Sequence, residues 1–271
     1  MVSPPASAAF TGSIPQIYER LLVPMIFTPY AIDLSQRAAA RKPGRVLEIA
    51  AGTGVVTRQL AQRLPPATAI VATDLSSAML ECAAAIGTSR PVEWRQADAQ
   101  QLPFAAEQFD LVVCQFGAMF FPERPRAYAE VRRVLRPGGA FLFNVWERLE
   151  LNEFAATVAD ALAARYAENP PRFMAQVPHG YHDRALIARD LASGGFSQAA
   201  DFATLAQRSV ASDARVPAIA YCQGTPMRGE IEAREPAGLE QATAAAAMAL
   251  VRRFGSGAID GGIQATIVTV E

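Results

Sequence analysis

Apolar and polar positions change period repeatedly along the first half of the chain. Residues 46 to 51 form a short apolar run, 55 to 64 carry apolar side chains at helical spacing, and 69 to 73 are apolar again. The alternation continues with a helix pattern over 76–86, strands over 92–95 and 110–114, a helix over 124–135 and a strand over 140–146. Strands alternating with helices predict an α/β chain, doubly wound, with helices on both faces of a mostly parallel sheet. Ser76 stands where an N-cap belongs. Further on, apolar residues at 186, 187 and 191 predict a helix ended by Gly194-Gly195. Residues 200–206 and 263–270 alternate like strands that close the sheet, and the alanine-rich run Leu239 to Phe254 reads as a helix.

The first strand and helix enclose the run Val46-Leu-Glu-Ile-Ala-Ala-Gly-Thr-Gly-Val-Val-Thr57, and the second strand ends Val71-Ala-Thr-Asp74. Gly52 and Gly54 let the chain turn sharply and bring its backbone against a ligand. Asp74 falls 20 residues past Gly54, at a strand tip where a carboxylate can accept both hydroxyls of an adenosine ribose. The implied ligand is a nucleoside. A triphosphate loop would continue Gly-Lys-Ser/Thr, but here Val55-Val56-Thr57-Arg58 follows. A dinucleotide loop would want glycine or alanine where Thr57 stands. Glu48, four residues before Gly52, would repel a pyrophosphate and suits a ligand bearing an ammonium and a sulfonium.

Glu48-x-x-x-Gly52-x-Gly54 together with Asp74 resembles the first two motifs of the class I S-adenosylmethionine-dependent methyltransferases. Arg95-Gln-Ala-Asp98, Phe109 to Phe121 and Leu135-Arg-Pro-Gly-Gly-Ala-Phe-Leu-Phe143 continue the likeness in order, so that it covers roughly residues 40 to 148. Within the superfamily, the chain is similar to the quinone-biosynthesis-like, type 11 small-molecule enzymes. The resemblance implies a Rossmann-like sheet of seven strands with the last antiparallel. It also implies S-adenosylmethionine as cofactor and S-adenosylhomocysteine as product. The residues it implies for the cofactor are Glu48, Ala50, Gly52, Thr53 and Gly54 in the first loop, Asp74, Leu75 and Met79 after the second strand, Asp98 and Ala99 at the adenine, and Gln115 near the methyl group. Similar proteins place an N-terminal tyrosine near the cofactor carboxylate, which marks Tyr18. In the same family Pro137 ends a helix and Gly138-Gly139 turn the chain into the fifth strand.

Composition narrows the partners. The net charge is −1 and Lys42 is the only lysine, so there is no basic excess for a nucleic acid. Cys82, Cys114 and Cys222 are odd in number and lack CxxC spacing, which suggests neither a disulfide framework nor a metal site. Met1 to Pro15 does not read as a leader, and no apolar run reaches the roughly 18 residues of a membrane span. A cytoplasmic protein without membrane or nucleic-acid partners is expected.

The chain divides into an N-terminal cap segment over 1–40, a cofactor core over 41–148, and 149–271 completing the sheet, all within a single domain. Two insertions, 147–182 and 211–258, fit a cap over the acceptor, the second serving alternatively for packing or homodimer contact. Tyr18 to Tyr30 is too apolar for a free tail and too broken by proline for a spanning helix. Histidine is the natural base near neutral pH, and the two histidines, His179 and His182, share one loop; Tyr181 and Tyr221 are weaker choices. Phe116, Met119, Phe120 and Phe121 suit a small apolar or aromatic acceptor. The loop lacks the Asn/Asp-Pro-Pro-aromatic signature of enzymes that methylate exocyclic or amide nitrogen. Two other functions compete with methyl transfer to such an acceptor: a non-catalytic protein that binds S-adenosylmethionine or another ligand, and a nicotinamide-dependent oxidoreductase.

Overall fold

The structure, a computed structural model, describes residues 12–271. The first eleven residues of the expected N-terminal segment lie outside the described residues. Seven strands, β1 (Arg45–Glu48), β2 (Ala69–Asp74), β3 (Glu93–Gln96), β4 (Phe109–Gln115), β5 (Leu135–Trp146), β6 (Asp201–Ala211) and β7 (Ile259–Val270), form one sheet in the order β3-β2-β1-β4-β5-β7-β6. The ladders from β3 to β5 are parallel and the last pair is antiparallel, as expected. Apolar residues on both faces of the central strands make this order stable, because helices can cover both sides. β3, at the sheet edge, instead exposes Glu93, Arg95 and Gln96, charged and polar groups that discourage further strand pairing.

Two compact units make up the chain. The first comprises Thr28–Val145, Tyr181–Leu205 and Thr266–Glu271. On one face of its sheet, Val46, Ile70, Leu111, Val113, Ala140 and Leu142 pack with Ala31, Leu34 and Ala38 of a helix over Thr28–Ala40 and with Val56 and Leu60 of one over Val55–Arg63. On the other, Tyr128 lies against Phe141 and Phe143, with ring centroids 5.8 and 5.7 Å away. The second unit comprises the segment ending at Phe27, Trp146–Gly180 and Ala206–Ala265. Its helices over Glu153–Arg165 and Leu239–Phe254 pack together, with Phe154 edge-on to Phe254 at 5.0 Å. Among the described residues no helix is long and apolar enough to cross a membrane.

Numbered in chain order, the helices are α1 (Ile14–Ile17), α2 (Thr28–Ala40), α3 (Val55–Arg63), α4 (Ser77–Ile86), α5 (Arg124–Val134), α6 (Glu153–Arg165), α7 (Phe173–Gln176), α8 (Arg184–Ser193), α9 (Arg215–Gln223), α10 (Met227–Arg234) and α11 (Leu239–Phe254). β6 and β7 run longer than the sequence expectation, to Ala211 and from Ile259, and three further differences have local causes. β1 stops at Glu48 and not at 51, because Ala50 turns into the left-handed region with φ 54°. The helix before β5 ends at Val134, ahead of Pro137, and Leu135 already pairs with Phe109; the Pro-Gly-Gly stretch is taken up as a register shift before Leu111 pairs with Ala140. The prolines near the N-terminus do not interrupt the helix there. Between α1 and α2 it widens to a π-helix, Tyr18–Phe27, around Pro24, whose ring would otherwise clash with the preceding turn.

Candidate functional site

The loop after β1 is threaded between its two neighbouring strands. Ile49 N–H donates to Val113 O at 3.0 Å, and Ala51 N–H donates to Thr73 O at 2.9 Å. Ala50, Gly52 and Gly54 all take positive φ, and Gly54 starts α3. Asp74, at the tip of β2, clamps this loop: its Oδ2 accepts from Gly52 N–H and its Oδ1 from Ser76 N–H, both at 2.8 Å. A Cβ on Gly52 would meet no atom within 4 Å, so its exposed face is open for a ligand to lie against. Beside it, Thr53 is 1% exposed and its hydroxyl has no hydrogen-bond partner. A buried orphan hydroxyl next to an open glycine fits a polar ligand that completes the bonding.

Glu48 ends β1 beneath the loop, 1% exposed, and its Oε2 accepts from the Thr57 hydroxyl at 2.6 Å. That bond explains Thr57 at a position where a dinucleotide loop would have a small residue. Burial pushes the Glu48 carboxyl up to about 8, with the Thr57 bond and Arg58 opposing the rise. Burial also raises Asp74, against the pull of the Ser76 and Gly52 N–H groups. A cationic ligand would favour the ionised form of both acids.

Opposite this loop, β4 ends at Gln115, and the chain turns at Phe116 with φ 50°. Asn144, fully buried on β5, holds the turn: its Oδ1 accepts from Phe116 N–H at 2.9 Å, and its Nδ2 donates to Gln115 Oε1 at 3.4 Å. Gly117 then runs so close to the glycine loop that a Cβ there would come within 2.4 Å of Ala50 Cβ. Sequence reasoning missed Asn144 and Gly117, because both act through contacts with residues far away along the chain. Asp98 follows β3 and accepts from Gln100 N–H at 2.8 Å, while Ala97 N–H donates to Asp74 O at 3.0 Å. Leu75 and Ala99 are half-buried, whereas Met79 is buried and donates its N–H to the Ser76 cap.

The unit that contains these residues also holds His182, but Tyr18 and His179 belong to the other unit. There Tyr18 stacks on Phe27 at 4.9 Å, Phe27 lies 5.9 Å from Trp146, and Trp146 lies 6.1 Å from the His179 ring. His179 is 5% exposed, and its Nδ1 is 2.8 Å from Glu147 O. A carbonyl only accepts, so Nδ1 carries the proton of that bond. His182 directly precedes Asp183, which caps α8. Tyr181 and Tyr221 do not suit the role of base: both are buried, and burial drives their phenols well above the ordinary tyrosine value.

A family model described as a methyltransferase domain matches residues 47–143. The chain is 38% identical over 117 residues to the ubiquinone/menaquinone biosynthesis C-methyltransferase of Pseudomonas savastanoi, a match covering 42% of this chain and 44% of that protein. The chain therefore spans less than half the length of that curated relative. Among solved structures, phosphoethanolamine N-methyltransferase 2 of Haemonchus contortus, in complex with S-adenosylhomocysteine, superposes with TM-score 0.58 at 15% identity over 94% of this chain and 56% of that one. The YcgJ protein of Bacillus subtilis gives TM-score 0.56 at 18% identity over 89% and 97%. At these identities the two structures speak for the fold.

Proposed function

We propose that the chain is a class I S-adenosylmethionine-dependent methyltransferase that binds S-adenosylmethionine at the Gly52 loop and methylates a small apolar or aromatic acceptor, a reading supported by the methyltransferase-domain model that matches residues 47–143. The observation that carries this reading is the arrangement of Glu48, the open face of Gly52, the orphan Thr53 hydroxyl and Asp74 around one loop. Asp74 spends one lone pair of each oxygen on the loop amides and keeps acceptor capacity for the ribose hydroxyls. Thr53 donates its hydroxyl to the ligand, and Glu48 supplies negative charge toward the ligand's cationic groups. Asp98 and Ala99 serve the adenine, Leu75 and Met79 its apolar surroundings, Gln115 the methyl end, and Tyr18 the carboxylate.

When bound, S-adenosylmethionine supplies an electrophilic sulfonium methyl, so the protein's tasks are alignment, exclusion of water and removal of a proton from the acceptor. Of the two histidines kept as candidate bases for that proton, His179 has its Nδ1 bound to Glu147 O.

Calorimetric titration with S-adenosylmethionine and S-adenosylhomocysteine, with NAD as control, tests the cofactor. Heat from the first two and none from NAD is the expected result. A folded sample silent to both, or one that binds NAD, overturns the reading.

A further inference from the structure

A polar relay of Arg124, Tyr181, Tyr128 and Asp190 reaches the turn after β4. Arg124, the first residue of α5, donates from Nη2 to the carbonyl of Met119 at 3.2 Å, and its guanidinium lies 4.1 Å from the centre of the Tyr181 ring. Tyr181 is fully buried; its hydroxyl donates to Asp190 Oδ2 at 3.0 Å and accepts from the Tyr128 hydroxyl at 3.2 Å. Asp190, on α8, is 7% exposed, with Arg189 3.7 Å away. Burial raises both phenols, which keeps them protonated and donating near neutral pH.

Polar groups strung through an apolar interior are a weak way to stabilise a fold, since desolvation offsets much of what their bonds contribute. They are directional, however, and this relay ends on one backbone carbonyl. Met119 sits in the 3-10 turn Ala118–Phe120, where Phe120 N–H donates to Gly117 O at 2.9 Å and Phe121 N–H to Ala118 O at 3.3 Å. Asn144 and the close approach of Gly117 to Ala50 fix the start of this loop, and Arg124 fixes its end.

We propose that Arg124 and Tyr181 are positioning residues that hold the Ala118–Phe120 turn and thereby set the acceptor-facing side of the methyl-transfer site. The proposal rests on the methyltransferase reading for the use of the turn, but its geometry can be tested without a known acceptor. Amide hydrogen exchange would be measured at Phe120 and Phe121, alongside calorimetry with S-adenosylmethionine, in the full chain and in three variants. Arg124→Met keeps the stem and removes the guanidinium, Tyr181→Leu removes the ring it stacks on, and Tyr181→Phe keeps that ring while breaking the bond to Asp190.

Exchange at the two amides should rise about tenfold in Arg124→Met and Tyr181→Leu, and by less in Tyr181→Phe. The β1 and β4 amides should keep their wild-type rates, and cofactor affinity should stay within about twofold. Unchanged exchange in Arg124→Met, or equal acceleration across the whole sheet, overturns the positioning role. A wild-type chain that fails to bind the cofactor overturns the functional reading instead, and the exchange data then decide the relay separately.

Discussion

Asp74 has two duties at once, and its substitution should reveal both. Beyond its proposed acceptance of the ribose, it holds Gly52 N–H and Ser76 N–H at 2.8 Å, so it shapes the loop before any ligand arrives. Asp74→Ala should weaken S-adenosylmethionine by about 1.5–3 kcal/mol, the range for a hydrogen bond to a charged acceptor, and should speed exchange of the Gly52 amide. Unaltered affinity in a calorimetric titration would remove Asp74 from the cofactor site. Glu48 makes a pH prediction. The folded carboxyl holds its proton up to about pH 8, whereas an unfolded one releases it near 4.5. The folded state therefore binds the extra proton between those values, and ligand-free stability should fall as pH rises from 4.5 to 8, then level off. Glu48→Gln carries no such penalty, so by urea midpoints it should match the parent near pH 5 and exceed it above pH 8. In the parent, affinity for the cationic cofactor should climb over the same window as the carboxyl ionises. Parallel stability profiles for the two proteins would show that Glu48 does not titrate in this way.

At the scale of elements, local chemistry was legible and distant packing was not. Ser76 was readable as the cap of α4 from its place before the helix, and its Oγ does accept from Met79 N–H at 3.3 Å. Ser76→Ala should lower stability by about 1 kcal/mol in a denaturant titration; a loss under a few tenths would mean the cap bond is not formed. The loop from Glu48 to Asp74 could be read because its parts lie in one short stretch with fixed spacing. Asn144 and Gly117 could not. Phe116 meets Asn144 across 28 residues, and a Cβ on Gly117 would come within 2.4 Å of Ala50 Cβ in another loop and 2.8 Å of Cys114 Sγ. The π-helical passage through Pro24 was hidden for a related reason: proline reads as a breaker, while burial of Leu22, Val23, Met25, Ile26 and Phe27 holds the widened helix together. Gly117→Ala should push the two loops apart, reducing cofactor affinity together with stability, the latter by about 1–3 kcal/mol. Wild-type affinity in that variant would mean the contact between the loops does not shape the site.

At the scale of the whole molecule, the chain order of strands and helices foretold the sheet, because parallel strands need long crossovers and helices supply those from β1 to β2, β2 to β3 and β4 to β5. The division of the chain into two compact units has no such signal in sequence, since each is assembled from segments far apart along it. That division bears on how a cofactor acts on stability. Every proposed cofactor residue except Tyr18 belongs to the unit built from Thr28–Val145, Tyr181–Leu205 and Thr266–Glu271. A ligand that binds only the folded state at one hundred times its dissociation constant stabilises it by about 2.7 kcal/mol. S-adenosylmethionine at that level should therefore raise the unfolding free energy by that amount and slow amide exchange throughout 45–116, where the loop, β2 and β4 lie. The Tyr18→Phe variant should keep most of this stabilisation, because the remaining contacts come from the one unit. If that variant instead loses all of it, Tyr18 is a principal ligand and the cofactor draws on both units; if slowed exchange appears only outside 45–116, the cofactor binds elsewhere on the chain.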